Sequence, residues 1–222
     1  MKNLTIVIPA KNEEENLPFV LHELKRINCK KIIVVNKINR KIKDIKKKFK
    51  ITVLKQSSNG YGVAIIQGIK KVKTDLIAIF NADGSFDPRF LFNIKNYNLN
   101  DKFLFASRYE KGAKSDDDTV VTYIGNKIFT FLGNLFFNLK ISDILYTYII
   151  GKTSNFKKLN LKSKDFRLCV EIPIKAKKNN FILQSLRSDE RSRISGNKNV
   201  NELKDGFLIL FYLIKTVLFR KY

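Results

Sequence analysis

Over its first hundred residues the chain alternates short apolar runs with segments whose apolar residues recur at helical spacing, and this alternation constrains the fold most. Residues 4–9 form a continuous apolar run. Glu13, Glu14 and Glu15 then supply acids for a helix start, and Leu17, Val20, Leu21 and Leu24 follow three and four apart. Residues 31–35 predict a second strand, residues 38–49 a strongly basic helix, and residues 51–54 a third strand. After the turn Ser57-Ser58-Asn59-Gly60, residues 62–72 predict another helix. Residues 76–80 are the most hydrophobic strand, Asp87-Pro88 offers a cap and a first-turn proline for a further helix, and residues 103–107 read as a strand. Strands this apolar need cover on both faces, which predicts an α/β fold with a mostly parallel central sheet flanked by crossover helices. Ligands of such sheets collect beyond the carboxyl ends of the strands.

The second half is less regular. Residues 124–139 are aromatic-rich and helix-like, 145–150 strand-like, 166–177 helix-like and 181–186 strand-like. Residues 189–201 are polar, with Arg191, Arg193, Gly196 and Lys198, and predict a mobile basic loop. The apolar stretch 207–219, closed by Arg220 and Lys221, fits either an amphipathic helix at a membrane interface or a helix packed on the core. The expected division is a main domain over residues 1–188 and a basic loop with its terminal helix over 189–222. No run reaches the roughly 20 uninterrupted apolar residues of a membrane span, so lying on a membrane is expected rather than crossing it. The first nine residues hold one basic residue before a short apolar run, unlike a signal peptide.

Charge narrows the partners. The 222 residues include 43 Lys and Arg against 20 Asp and Glu, a net charge of +23, which favours phosphorylated substrates, anionic membrane surfaces or nucleic acid. Dispersed lysines with no zinc-finger or RNA-binding aromatic signature argue against nucleic acid. Cys29 and Cys169 form no ligand cluster or disulfide framework, which points to a reducing cytoplasm. His22, the only histidine, has no nucleophile beside it in a helical segment. The run Asp116-Asp117-Asp118 suits a solvated loop capping the next helix better than a set of metal ligands.

Two strand exits carry the chemistry. Asn81-Ala82-Asp83-Gly84-Ser85 places a carboxylate where a buried strand leaves the sheet, and the following glycine lets a diphosphate and a divalent cation approach. Ile8-Pro9-Ala10-Lys11-Asn12-Glu13 brings polar residues to the same edge, some of which also serve the next helix start. The glycines of residues 57–62 match neither the Walker pattern nor the dinucleotide fingerprint, so that segment reads as a turn.

Together these residues resemble the family-2 glycosyltransferases of the GT-A fold, and most closely their dolichol-phosphate mannose synthase-like branch. Ile8-Pro9-Ala10-Lys11-Asn12-Glu13-Glu14 is similar to the family's opening PAxNE, and Asn59-Gly60-Tyr61-Gly62-Val63-Ala64 to its glycine-rich segment. Asn81 to Pro88 stands where the family has its DxD-type motif, and Ala106-Ser107-Arg108-Tyr109 resembles its GSRY. Gly125-Asn126, Ser142-Asp143, Phe166 through Glu171 to Lys175-Ala176, Arg193-Ile194-Ser195-Gly196 and Asp205-Gly206 follow in the branch's order.

The resemblance implies a cytoplasmic transferase on the inner face of the membrane. It would move a sugar from a nucleotide-sugar to a polyprenyl phosphate or other lipid-linked acceptor, in glycan or surface polysaccharide synthesis. It assigns Mg²⁺ or Mn²⁺ to Asp83 and Asn81, donor binding to Pro9, Ala10, Asn12, Glu13, Asn36, Gly62, Asn81, Ala82 and Asp83, and catalysis to Asp83, Arg108 and Glu171. Acceptor or phosphate contacts fall to Arg108, Arg191, Arg193 and Lys198. The chain departs from the family at Asn36, where an acid usually stands, at Asn81, the first acid of the DxD-type motif, and at Thr147-Tyr148-Ile149, where a GFR is usual. Lys198 lies one place off the family's lysine. A catalytically impaired relative that binds a membrane or a partner is the alternative these departures leave open.

Overall fold

The computed structural model describes residues 3–196 and 201–219. Its centre is a seven-stranded sheet in the order β3-β2-β1-β4-β6-β5-β7, built from β1 (Leu4–Ala10), β2 (Lys30–Val35), β3 (Thr52–Lys55), β4 (Leu76–Ile79), β5 (Lys102–Ser107), β6 (Ile149–Lys152) and β7 (Ile182–Arg187). β1 runs parallel to both β2 and β4, and β3 is parallel to β2. Only β6 runs the other way, antiparallel to β4 and β5, while β5 and β7 are parallel.

The apolar runs are continuous because each strand feeds two cores. Leu4, Ile6 and Ile8 of β1 point into one buried cluster with Ile33, Val35, Ala78 and Phe80. Val7 points into the other with Ile32, Val34, Ile77 and Ile79, the two-residue alternation of a strand buried on both faces. The first cluster is closed by α1 (Leu17–Glu23), α2 (Arg40–Phe49) and a 3₁₀ helix over Pro88–Asn96; the second by α3 (Tyr61–Lys71), α5 (Thr153–Lys158), α6 (Leu168–Lys178) and part of α7 (Glu202–Phe219).

Local signals set the helix ends. The Asn39 side chain accepts the Ile42 N–H at 3.0 Å to start α2, and Lys50, left-handed at φ 51°, ends it. Asp87 caps as expected, accepting the Arg89 N–H, but Pro88–Asn96 is a 3₁₀ helix. Thr119 and Thr122 form a reciprocal capping box at the start of α4 (Val120–Phe137).

Two expectations change. β6 starts at Ile149 rather than residue 145, because Tyr146 and Tyr148 enter an aromatic cluster in which Tyr148 stacks on Phe86 at 4.7 Å and meets Phe80 edge-on at 5.1 Å. Moreover α4 is long and apolar enough to cross a membrane by length and composition, whereas the sequence had offered no such segment. Its Phe129, Leu132 and Phe137 pack partly buried against the second core. The buried residues of α4 are Asn126, Thr130 and Gly133, while Val120, Val121, Ile124, Ile128, Phe131 and Leu135 are exposed.

The close contact of α3 with β1 supplies a stability test. A Cβ at Gly68 would lie 2.3 Å from Val7 Cγ1 in the second core. Gly68→Ala is expected to cost about 1–3 kcal/mol by overpacking, read as a lower urea midpoint with an unchanged denaturant slope.

Candidate active site

Because β1, β2 and β4 are parallel neighbours, their carboxyl ends open on one edge of the sheet, and most of the predicted donor residues gather there. At the β1 exit Asn12 takes a left-handed conformation (φ 58°), and its side-chain oxygen accepts a 3.0 Å bond from Asn36, at the end of β2. Pro9 and Ala10 lie in the ladder opposite Val34 and Val35. Glu13 turns inward, 5 % exposed, and accepts from Asn16 at 2.6 Å; burial raises its carboxyl above the ordinary value, against the opposing pull of Asn16 and Arg193.

Beyond β4, Ala82 is buried and Asp83 turns back on its own loop. Its Oδ1 accepts from the Ser85 N–H at 3.1 Å and the Ser85 hydroxyl at 2.7 Å. Gly84 has φ 85°, and a Cβ there would meet Ile194 Cδ1 at 2.3 Å, so position 84 needs glycine for both conformation and space. Asn81 Oδ1 accepts a 3.2 Å bond from the Tyr61 hydroxyl, which also pairs with Thr147. Burial pushes that phenol far above its ordinary value, so it remains a neutral donor.

The basic segment after β7 closes over this edge. Ile194 N–H donates to the Asp83 carbonyl at 3.0 Å, and the Arg191 N–H to the Ser85 carbonyl at 2.9 Å. The Arg191 guanidinium grips Glu23 through two bonds, of 2.7 and 2.9 Å, and also reaches the Phe86 carbonyl. Ser195 exchanges hydrogen bonds with Asn16. Arg193 lies between two carboxylates, hydrogen-bonded to Glu13 and 3.5 Å from Asp83 Oδ2. Residues 189–196, expected to be a mobile loop, are thus tied to three parts of the fold, and Arg191 and Arg193 have carboxylate partners. Lys198 lies outside the described residues.

A divalent cation fits here. The Arg193 guanidinium shows that the gap between Asp83 and Glu13 accommodates positive charge, and Asp83 and Asn81 offer the hard oxygen atoms that Mg²⁺ and Mn²⁺ favour. Among the described residues no three of His, Cys, Asp and Glu gather into a metal-binding group. The cation would therefore need oxygens from a bound diphosphate, the usual arrangement for Mg²⁺.

Three predicted residues have other partners. Arg108 is buried with its side chain 8 % exposed, bound to Asp143 at 2.7 and 3.1 Å, and to Asp118 and Glu190 at 3.3 Å each. Its guanidinium also lies 5.1 and 4.8 Å from the ring centres of Tyr109 and Tyr146, so it offers no open fork to a phosphate. Glu171 accepts the N–H groups of Lys162 and Ser163 at 2.8 and 2.7 Å and pairs with Lys175 at 2.6 Å, which makes it a buried loop anchor rather than a group facing Asp83. Gly62 is a packing glycine, since a Cβ there would fall 2.1 Å from the Ser163 carbonyl oxygen.

Sequence reasoning preferred a capping role for Asp118 over a metal-ligating one, and it missed Glu190, whose partner Arg108 is 82 residues away. Asp118 does meet the helix start through Thr122 at 3.3 Å. Alternation of charge along the chain carries no signal for such a pairing.

A family description, "Glycosyl transferase family 2", matches residues 5–159, which include every strand that forms the edge just described. The chain belongs to this family. Among curated relatives of this glycosyltransferase family, a UDP-N-acetylglucosamine--dolichyl-phosphate N-acetylglucosaminyltransferase of Methanococcus voltae is 26% identical over 204 residues, 80% of this chain and 81% of the relative. An uncharacterized glycosyltransferase of Mycobacterium tuberculosis is 31% identical over 84 residues, and that match spans 38% of each chain. Among solved structures, the glucosyl-3-phosphoglycerate synthase of Mycobacterium tuberculosis in complex with UDP superposes with a TM-score of 0.73 at 12% identity, covering 96% of this chain and 79% of the synthase. The fold is accordingly the GT-A glycosyltransferase fold.

The Arg108 cluster sets a pH-dependent stability. Burial holds the Glu190 carboxyl above its ordinary value despite Arg108. Arg108→Met removes the cation facing three carboxylates and is expected to cost about 3–5 kcal/mol at pH 7. With the Glu190 carboxyl raised above its unfolded value, the folded form binds that proton more readily, so the loss is largest above the folded pKa and shrinks as pH falls through it. Urea midpoints of wild type and variant at pH 7 and pH 5 check both statements.

Proposed function

We propose that this glycosyltransferase moves a sugar from a nucleotide-sugar to a polyprenyl phosphate or related lipid-linked acceptor, working peripherally at the inner face of a membrane. The observation that carries the transfer is Asp83, held at the exit of β4 beside Asn81 and facing the β1 and β2 exits. The same mycobacterial synthase has been solved with Mn²⁺, UDP and its glucosylated product, which supports a metal and a nucleotide at the corresponding edge. The Methanococcus relative, named for a dolichyl-phosphate acceptor, supports the lipid-linked one.

In this reading Asp83 and Asn81 hold Mg²⁺ or Mn²⁺, which stabilises the charge growing on the departing nucleoside diphosphate. Asp83 is positioned by Ser85, and Asn81 by Tyr61, leaving the Asn81 oxygen a second lone pair for the cation. Asn12 and Asn36 face the nucleoside side with neutral amides. Arg193 keeps positive charge between Asp83 and Glu13 before the donor arrives and moves aside to receive the diphosphate with its fork. A phosphate acceptor is ionised near pH 7, so no side chain need remove its proton.

The membrane proposal rests on α4 and α7, which pack on each other. α4 leaves Val120, Val121, Ile124, Ile128, Phe131 and Leu135 exposed, and α7 adds exposed Phe207, Phe211, Ile214 and Leu218. Two such helices suit an interfacial position, where burial of apolar side chains and attraction of a +23 chain to anionic lipid act together. Flotation with anionic liposomes should recover the protein. Ile128→Asp with Phe131→Asp should leave most of it in the soluble fraction; unchanged recovery overturns the role of α4.

The pair Asn81 and Arg193 favours one second reading, a binding protein with lost catalysis, because the motif lacks one acid and the other is already paired. Asp83→Ala separates the two. It should abolish Mn²⁺-dependent nucleotide-sugar binding by calorimetry while leaving the unfolding midpoint nearly unchanged. Asn81→Asp should tighten Mn²⁺ binding by adding a charge. A wild type and an Asn81→Asp variant that both ignore nucleotide-sugars at millimolar Mn²⁺ leave the non-catalytic reading.

A further inference from the structure

A cavity of about 320 Å³ lies between the loop preceding α6, α6 itself and α7, lined by Lys162, Ser163, Lys164, Arg167, Glu171, Lys175 and Tyr212. None of its side chains contacts Asp83, and no step of the transfer described above uses it. Its wall carries four cations and one carboxylate. That carboxylate, Glu171, is already matched by Lys175 at 2.6 Å and by two backbone N–H groups. Arg167 has its fork taken by Asp165, through Nε at 2.8 Å and Nη2 at 2.6 Å. The ammonium groups of Lys162 and Lys164 are exposed and have no ion-pair partner among the described residues, so the cavity keeps an excess of positive charge.

The wall is also fixed in place. Glu171 holds the backbone at Lys162 and Ser163, the Lys164 carbonyl accepts the Val63 N–H at 3.1 Å, and Gly60 and Gly62 let α3 press directly on this loop. Lys175 is buried and held to the Asn160 carbonyl at 2.7 Å. The backbone that carries Lys162 and Lys164 is therefore already ordered, and an anion need order only their side chains. Ser163 and Tyr212 add hydroxyl groups, and burial raises the Tyr212 phenol so that it stays a donor at neutral pH.

We propose that this cavity is a second anion site, which takes a phosphate or phosphate-monoester group between Lys162 and Lys164. A tetrahedral dianion accepts donors from several directions at once, as two point-charge lysines and the Ser163 and Tyr212 hydroxyls provide. The bound group pins the loop against α3. There the Tyr61 ring stacks on Phe166 at 4.7 Å and its hydroxyl donates to Asn81. The phosphate comes either from solution or from a lipid headgroup beside α7. The site does not depend on the transferase reading.

The test uses the full chain, with Lys162→Ala/Lys164→Ala as the variant and Lys46→Ala/Lys47→Ala on α2 as a control of equal charge change. Inorganic phosphate should raise the melting temperature of wild type and control above that in chloride of matched ionic strength, and the cavity variant should lose at least three quarters of that rise. Both exposed truncations should leave the melting temperature in chloride within a few degrees of wild type. Vesicles of phosphatidylcholine with and without phosphatidic acid identify the source. Selective loss of phosphatidic acid binding in the cavity variant, with competition by free phosphate, assigns a lipid headgroup; unchanged vesicle binding with lost phosphate response assigns a soluble group. Equal shifts in phosphate and chloride, or a variant that responds like wild type, overturn the site. Mn²⁺-dependent nucleotide-sugar binding, measured on the same samples, reports separately on the Asp83 edge.

Discussion

The parallel pairing of β1 with β2 and β4 is the constraint on which the rest of the molecule depends. Parallel neighbours must be joined by crossovers, so each strand is covered on both faces and its polar residues are pushed to the ends. Three strands running the same way then deliver Asn12 and Glu13, Asn36, and Asn81 with Asp83 to one edge. The reversed strand β6 ends this arrangement and joins the parallel pair β5 and β7 to the sheet. From β7 the chain passes directly to Arg191 and Arg193, which explains why distant basic residues lie over the exits of β1 and β4.

Electrostatics inside the molecule run opposite to its surface. The chain is strongly basic, yet Arg108 sits among three carboxylates, Arg193 between two, and Arg191 on Glu23. Burial makes an unpaired guanidinium or carboxylate costly, so several of the 20 acids are drawn inward to partners. The excess charge is left to lysines on the outside. Lys162 and Lys164 differ from most of these in standing over a concave, fixed wall.

The two apolar helices leave much of their apolar surface uncovered. In a protein surrounded only by water, an amphipathic helix turns its apolar stripe inward. α4 turns only Phe129, Leu132 and Phe137 toward the core, and beside them Asn126 donates to the Tyr109 hydroxyl at 2.8 Å and Thr130 accepts from the Ile144 N–H at 3.2 Å. Polar atoms thus share its attachment to the domain with Phe129, Leu132 and Phe137, and the remaining apolar side chains are the surface it offers.

Much of this architecture was determined by sequence alone. Apolar runs with interleaved helical spacing imply a parallel sheet wherever they occur, and Asp83 at a strand exit and the capping residues Asn39 and Asp87 act within a few positions of themselves. The strands and helices of the first hundred residues therefore stand nearly where periodicity puts them, apart from the 3₁₀ form of Pro88–Asn96. Only the tertiary structure decided which charges meet. Arg108 could be read as a phosphate ligand until Asp143 and Glu190 arrived from other elements to surround it, and Glu171 as a catalytic acid until it bonded the loop at Lys162. Hydrogen bonds and ion pairs act over a few ångströms in space, and no rule of local spacing reports a partner 180 residues away, as Glu13 is to Arg193.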